Sequence, residues 1–314
     1  MERKLHGGRC PPKRVFGYFL RGQKVTRRRQ KGGSPLGTLY LVPTPIGNLG
    51  DISKRAAETL SAVDFIAAED TRVTVKLLNH LDIKKPMVTY HRHNCDTAGP
   101  AILRRLEDGE NCALVTDAGT PGISDPGEDL VALCAAAGVE VAAIPGPCDL
   151  TAALSVSGLP TARFTFEGFL PMNKKNRKAR LDGLAREERT MIFYEAPHKL
   201  RATLDDLAAV FGPDRPVALC RELTKLHEEV VRSTLGEAVS RYGSQEPRGE
   251  FVLVVAGCPP QAETGDEDAA LARTEELRRE GLPLKAAAAQ AAEEFGVKKR
   301  ALYNRALRRG EREV

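Results

Sequence analysis

The chain has 314 residues, 42% hydrophobic and 28% charged, which describes a soluble globular protein long enough for two domains with real cores. No apolar run in it approaches the roughly 20 residues that a membrane span requires. Seven scattered cysteines without a CxxC pair offer neither a zinc ribbon nor a disulfide framework and fit a reducing, cytoplasmic setting.

Charge is concentrated at the start. Met1–Leu36 holds eleven Lys or Arg against the single acid Glu2, a charge of +10, so a chain of net charge +5 carries −5 from Gly37 onward. The overall balance is therefore no argument for nucleic-acid binding, which has to rest on local clusters. With little periodicity and one short apolar patch at Val15–Leu20, residues 1–36 read as a disordered basic extension rather than a transit peptide or secretory signal.

From Thr38 the pattern becomes regular. Apolar runs at Thr38–Val42, Asp64–Ala68, Met87–Tyr90, Ala113–Val115 and Val139–Ile144 read as strands. Helical spacing separates them at Ile52–Leu60, Val75–Leu81, Ile102–Leu106 and Asp129–Ala137, and a further helix follows at Asp149–Ser155. Strands alternating with helices predict a parallel, doubly wound α/β domain over 37–157. Runs at Arg163–Phe169, Thr190–Glu195, Val217–Glu222, Glu229–Leu235 and Glu250–Val255, with fewer helices between them, predict a second α/β domain with a mixed sheet over 158–257. A Pro-, Gly- and acid-rich stretch, 258–269, reads as a linker. The remainder, 270–314, is helical in pattern: one helix to about Arg279, one from Pro283 to Phe295 and a basic one to Arg309. The break at Gly296 resembles a helix-turn-helix.

Three strands of the first half empty into Gly/Pro loops, Pro43–Asp51, Thr116–Gly127 and Pro145–Cys148. An open α/β sheet binds its ligand in the crevice outside such strand ends. Gly119 and Gly122 allow positive φ and a close backbone approach, while Pro121 and Pro126 hold the loop in shape. Neither GxGxxG nor GxxxxGK[ST] is present, so dinucleotide and P-loop readings lack their fingerprints. Loops that offer backbone groups without basic residues suit an uncharged or cationic small molecule better than a polyphosphate. Acids at strand ends, Asp117 and Glu195, can bond amine or ribose groups or favour a positive charge.

Eight motifs then appear in one order over Leu41–Val255: VPTPIGNLGD, AAEDTR, VTDAGTPGISDPG, IPGPCD, GFLP before a basic run, FYEAPHK, RELTKLHEE and RGEFVLVV. Together they resemble the ribosomal small-subunit RNA 2′-O-ribose cytidine methyltransferases (the RsmI family), a branch of the tetrapyrrole-methylase-like methyltransferases. The resemblance implies a two-domain tetrapyrrole-methylase-like α/β fold with a small all-helical C-terminal appendix. It further implies a homodimer, S-adenosyl-L-methionine in the cleft between the domains, and a cytidine ribose of 16S rRNA in the decoding region of the small ribosomal subunit as acceptor. Carried over by motif, the methyl-donor pocket involves Pro45, Ile46, Gly47, Asp117, Gly119, Thr120, Ile123, Ser124, Pro145, Tyr194 and Glu195. The basic extension departs from the pattern, and the resemblance assigns it no role.

Methylation of a ribose hydroxyl is an in-line displacement, for which alignment contributes most and a general base helps by typically 10² to 10⁴-fold. The candidates for the base are Glu69, Asp70 and Glu222, with Arg72, Arg221 and Lys225 positioning phosphate or lowering a partner's pKa. The same residues also read as structural ion pairs. His91 and His93 read as a solvated or capping pair rather than metal ligands, His227 as structural, and no metal is expected. Lys174, Lys175, Arg177, Lys178 and Arg180 form a basic patch, expected as a loop that grips RNA phosphates. The last helix, with Lys298, Lys299, Arg300, Arg305, Arg308, Arg309 and Tyr303, is a second candidate for RNA contact. Three other functions compete: C-methylation of a tetrapyrrole, against which the basic patch argues; a non-catalytic RNA-binding ribosome-assembly factor; and a DNA-binding regulator led by the C-terminal helices.

Overall fold

The computed structural model describes residues 35–244, 247–259 and 266–310. The expected basic extension, 1–36, thus lies outside the described residues except for its last two. Contacts divide the chain after Cys148 into two units.

The first unit runs β1 (Thr38–Leu41), α1 (Lys54–Ala62), β2 (Phe65–Ala68), α2 (Thr71–His80), β3 (Met87–Thr89), α3 (Cys95–Glu107), β4 (Cys112–Val115), α4 (Glu128–Ala136) and β5 (Glu140–Ala143). Its sheet has the order β3-β2-β4-β1-β5, with every neighbouring pair parallel. All four residues of β2 and of β4 are buried, as expected of parallel strands covered on both faces. Side chains alternate between the two cores: Phe65, Ala67, Cys112 and Leu114 pack with Leu39, Ile102, Leu106 and Leu130. Ile66, Ala68, Ala113 and Val115 pack with Val42, Ala56, Leu60 and Leu78. Two helices begin earlier than their apolar spacing suggests. The Asp70 side chain accepts from the Arg72 amide and caps α2, so that helix starts at Thr71 instead of Val75. The helix α3 starts at Cys95 instead of Ile102 and carries Gly99 and Pro100 inside it, two residues that mask a helix in a sequence.

The second unit opens with α5 (Asp149–Ser157), a helix expected to close the first domain. It packs instead on the second unit's sheet: the Cys220 thiol reaches the Ala153 carbonyl at 3.8 Å, and Arg232 donates to the Ser157 carbonyl at 3.2 Å and to that of Val156. The unit continues with β6 (Phe164–Phe169), α6 (Lys174–Leu184), β7 (Thr190–Glu195), α7 (Leu200–Phe211), β8 (Pro216–Arg221), β9 (Glu229–Thr234), α8 (Leu235–Gly243) and β10 (Phe251–Val255). The sheet is mixed, in the order β6-β7-β10-β8-β9, with β6 parallel to β7 and the other pairs antiparallel. One face buries Phe193, Leu219, Phe251 and Leu253 against Leu181, Leu204, Leu207 and Tyr242 of the helices α6, α7 and α8. Three helices lie between these strands against four in the first unit, fewer as expected; α6 is so rich in Lys and Arg that its single buried residue, Leu181, gives little periodicity.

The expected linker, 258–269, is shorter at its C-terminal end, and residues 260–265 of it lie outside the described residues. Asp266 accepts from the amides of Asp268 and Ala269 at 3.0 and 2.9 Å and starts α9 (Glu267–Arg279) ahead of residue 270. Then come α10 (Leu284–Phe295) and α11 (Lys299–Gly310), separated at Gly296, whose φ of 64° ends α10 in the left-handed conformation. Small residues let the three helices meet: Ala270, Ala287, Ala291, Ala292 and Ala306 pack with Leu271, Leu277 and Leu302.

Candidate functional site

The parallel sheet of the first unit delivers β1, β2, β4 and β5 to one edge, and the loops after them are tied to each other. Thr44 and Gly119 form an antiparallel bridge, with N–H···O distances of 2.9 and 3.0 Å in the two directions. The Thr44 hydroxyl donates to the Thr116 carbonyl at 3.0 Å, and that of Thr120 to the Pro147 carbonyl at 2.8 Å. At Gly146 a Cβ would stand 2.9 Å from the Pro43 side chain, so the loops after β1 and β5 are close enough to demand glycine. Gly119 has φ 84° and Ser124 φ 64°. A non-glycine residue in that region is held there at some cost and marks a constrained loop. Arg92 adds a bond to the Ser124 carbonyl. Nine of the eleven expected donor-pocket residues, Pro45, Ile46, Gly47, Asp117, Gly119, Thr120, Ile123, Ser124 and Pro145, stand on these three loops. Ile123 keeps 37% of its surface exposed and Ile46 only 7%.

Two carboxylates meet at this edge. Glu69, after β2, is partly buried, which raises its pKa; the neighbouring Asp117 carboxylate adds to the rise while the Asp117 amide, Arg92 and His91 oppose it. The pKa of Asp117 is raised in turn by desolvation, with the Asp70 charge adding and the Asp70 amide, which donates to it at 3.2 Å, opposing. Neighbouring acids whose pKa values are both raised, Glu69 in part by the Asp117 charge, are complementary to a cation.

Tyr194 and Glu195, the remaining two donor-pocket candidates, belong to the second unit. The Tyr194 ring meets Phe166 and Phe169 edge-on, at centroid distances of 5.0 and 5.6 Å. Glu195 is 4% exposed and is engaged inside its own unit: its side chain accepts from the Ala196 amide at 2.9 Å and from the Thr203 hydroxyl. Its carboxylate oxygens are thus both used, contrary to a free acid waiting at a strand end.

The three candidates for the base separate cleanly. Asp70 caps α2 and holds the Arg72 guanidinium at 2.6 Å; that bond first of all lowers its pKa to about 2, so it is a poor base, and Arg72 is its ion-pair partner. Glu222 is desolvated, but bonds from the Glu250 amide at 2.9 Å and from the Lys225 ammonium at 3.0 Å outweigh this and leave its pKa lowered. Lys225 also holds Glu250 at 2.9 Å, and Arg221 pairs with Glu229 at 3.2 Å. Glu222 and Thr224 have φ of 50° and 65°, and a Cβ on Gly249 would come within 2.5 Å of the Glu222 side chain. The loop after β8 is therefore tightly built. Glu69 alone of the three combines partial burial with a raised pKa.

Sequence reasoning missed Asp149, the first residue of α5. One of its carboxylate oxygens is buried without a hydrogen-bond partner. Burial, with the Glu250 charge adding and Lys225 opposing, pushes its pKa up to about 6. The signal was present as an acid directly after IPGPC, which reads as an ordinary helix start.

The expected basic loop is the helix α6, because Asn173 accepts from the Lys175 and Asn176 amides and caps it. Two of its five cations are committed: Arg177 pairs with Asp206 at 2.5 Å and donates to Thr203 at 2.7 Å, and Arg180 pairs with Glu167 at 2.5 Å. Lys174, Lys175 and Lys178 are exposed. Lys174 and Lys178 line a groove of about 650 Å³ together with Lys199, Met172 and Val210. Lys199 was not expected there. His91 and His93 meet edge-on at 6.1 Å, and among the described residues no three His, Cys, Asp or Glu are grouped to hold a metal ion. No helix of the described residues is long and apolar enough to cross a membrane.

The model of the family Tetrapyrrole (Corrin/Porphyrin) Methylases matches residues 38–239, and that of the RsmI C-terminal HTH domain matches residues 264–310. The chain is 50% identical over 273 residues to the Ribosomal RNA small subunit methyltransferase I of Synechocystis, covering 87% of this chain and 98% of that protein. Among solved structures it resembles the methyltransferase CobJ, with a TM-score of 0.55 at 18% identity over 71% of this chain and 95% of that one. It also resembles the uroporphyrin-III C-methyl transferase of Thermus thermophilus complexed with S-adenyl homocysteine, with a TM-score of 0.50 at 20% identity over 70% and 97% of the two chains. By fold, by motif order and by this degree of identity over nearly its whole described length, the chain belongs to the ribosomal RNA small subunit methyltransferase I family of the tetrapyrrole methylases.

Proposed function

We propose that the protein transfers the methyl group of S-adenosyl-L-methionine to the ribose 2′-oxygen of a cytidine in 16S rRNA of the small ribosomal subunit. The observation that carries this reading is the set of three interlocked strand-end loops, which bear Asp117 beside Glu69 at the end of β2, in a chain about half identical to ribosomal RNA small subunit methyltransferases I. These loops fit the donor: Gly119 bridges to Thr44 and Gly146 lies against Pro43, which leaves backbone groups at the strand ends, and a cationic sulfonium relieves the repulsion that Asp117 exerts on Glu69. When bound, the donor supplies an electrophilic methyl group. The chain's part is to hold the acceptor oxygen in line and to take its proton.

Glu69 is the residue we assign to that proton, since its raised pKa brings it closer to neutrality than Asp70 or Glu222. Asp117 favours the positive charge of the donor. Lys225, fixed between Glu222 and Glu250, and the exposed Lys174, Lys175 and Lys178 meet phosphates of the RNA. Arg177 and Arg180 hold α6 in place for them. A cytoplasmic homodimer acting on the ribosomal subunit completes the reading.

The test is transfer of labelled methyl to small ribosomal subunits from cells lacking this gene, to free 16S rRNA, and to a tetrapyrrole precursor. Label in an alkali-resistant dinucleotide is expected, since 2′-O-methylation blocks cleavage at that position. Label in the tetrapyrrole alone overturns the acceptor, and no label in any of the three overturns the activity. Light scattering on the purified protein tests the dimer.

A further inference from the structure

The basic residues of the C-terminal helices fall into two sets, and the structure treats them differently. Arg305 is turned toward α9, where it pairs with Glu267 at 3.1 Å and with Asp268, and Arg309 pairs with Glu275 at 3.3 Å. Arg273 likewise bridges Glu276 and Glu294, both at 3.0 Å. These cations hold the three helices together. Seven make no ion pair with any of the described residues and are exposed: Arg278, Arg279 and Arg308 in the last turns of their helices, where cations suit the dipole, and a group of four, Lys285, Lys298, Lys299 and Arg300. Three of the four crowd the first turn of α11 or the residue before it, a turn that contains no acid. Like charges there repel one another and oppose the helix dipole, so their placement does not serve the helix. A cluster that costs stability and is left unneutralised is a common mark of a binding surface.

The shape agrees. Lys285 from α10 and Lys299, Arg300 and Tyr303 from α11 line a shared concavity of about 470 Å³. Three cations thus surround one half-buried aromatic ring. Cations alone would mark a generic polyanion contact, but a ring set among them adds a flat apolar surface the size of a base. Phosphate anchors beside a stacking platform are what an unpaired nucleic-acid strand requires, because its bases are free to turn outward.

We propose that Lys285, Lys299, Arg300 and Tyr303 form an RNA-binding site for an unpaired strand, the three cations gripping phosphodiesters and the Tyr303 ring stacking on a base. It rests on the reading that the protein acts on RNA, and it assigns to the helical appendix a grip on the strand apart from the loops that carry the chemistry.

The test uses the full-length protein and a fluorescein-labelled, unstructured single-stranded RNA of 20 nucleotides, with a DNA duplex of the same length as competitor. Anisotropy titrations over a range of salt give both affinity and the number of phosphates neutralised. Each contact contributes about 0.7 to the slope of log K against log salt on a single strand, so K285Q/K299Q/R300Q is expected to lower the slope by about 2. Tyr303→Leu keeps an apolar side chain but removes the ring; it is expected to weaken binding roughly 5- to 150-fold with the slope unchanged. Arg305→Gln, which removes an internal ion pair, is expected to leave both quantities as in the wild type, and circular dichroism checks that each variant is folded. An unchanged slope in the triple variant, an unchanged affinity in Tyr303→Leu, or preference for the DNA duplex overturns the proposal. Methyl transfer to ribosomal subunits is followed separately with wild-type protein. Loss of strand binding in these variants alongside an absence of wild-type transfer would refute the activity and leave this site standing.

Discussion

Replacing Asp149 by Asn should stabilise the protein at pH 8 and leave its stability near pH 3 unchanged. Asp149 stands at the start of α5 with one carboxylate oxygen buried and unpartnered, and its pKa is pushed up to about 6 from an ordinary 3.8. The groups that face it are Glu250, which adds to the rise, and Lys225, which opposes it; Lys225 is itself shared with Glu222. The folded state therefore holds a proton on Asp149 more tightly than the unfolded state does. Between about pH 3.8 and pH 6 the native protein binds more protons, so stability falls as pH rises through that window and levels off above it. A carboxyl so raised is worth about 3 kcal/mol of destabilisation at pH 8, an upper figure because residual structure in the unfolded chain and water entry soften it. Asn has the same shape and no charge, so its gain should appear only as pH rises. The measurement is the urea midpoint of wild type and Asp149→Asn by circular dichroism at pH 4, 5, 6 and 8, with hydrogen exchange in α5 to locate the effect. If the variant is less stable at pH 8, or if the difference between the two proteins does not change with pH, Asp149 is satisfied in solution and carries no buried, unpaired charge.

Glu69→Gln should reduce methyl transfer by roughly 10² to 10⁴-fold with donor affinity within a few-fold of wild type. The wild-type rate should fall on acidification at a higher pH than an unperturbed carboxylate would give, because the pKa of Glu69 is raised by burial and by Asp117; Asp70→Asn and Glu222→Gln should keep that profile, and single-turnover rates against pH decide it. Gly146→Ala should push apart the loops after β1 and β5, since its Cβ would lie 2.9 Å from Pro43. Overpacking of about 1–3 kcal/mol corresponds to roughly a 5- to 150-fold rise in the donor Kd, read by calorimetry. Thr203→Val should cost about 1–3 kcal/mol by thermal denaturation, because it leaves a buried Glu195 oxygen without its donor and removes an acceptor from Arg177; a neutral outcome would show that water replaces the hydroxyl.

The first sheet was the most legible part of the sequence. Its strands are short, three of the five empty into Gly/Pro loops, and Phe65–Ala68 and Cys112–Val115 are wholly apolar, so these two could hardly be anything else. Helix starts were less legible where the cap did the defining: Asp70 reads as a catalytic candidate until its side chain is seen bonded to the Arg72 amide. The same ambiguity affects Arg177 and Arg180, which look like RNA ligands in a run of cations and turn out to be paired with acids 29 and 13 residues away. Charge in a sequence carries no sign of its partner, and the partner decides whether a cation faces solvent or a neighbour. Asp149 shows the limit from the other side. An acid at a helix start is ordinary, and only the fold reveals that Glu250 stands beside it and that one oxygen is left alone.

The order β3-β2-β4-β1-β5 also shapes how the chain is made. The first strand of the described residues, Thr38–Leu41, is an interior strand whose two neighbours begin at Cys112 and Glu140. Until Val115 has been made, β1 has bare hydrogen-bonding edges on both sides, and one of them stays bare until Ala143. Closing such distant pairings is slow. The nascent first unit therefore keeps unpaired strand edges for longer than a hairpin-built domain of equal size, and does so on the ribosome, the assembly on which we propose that the finished protein works.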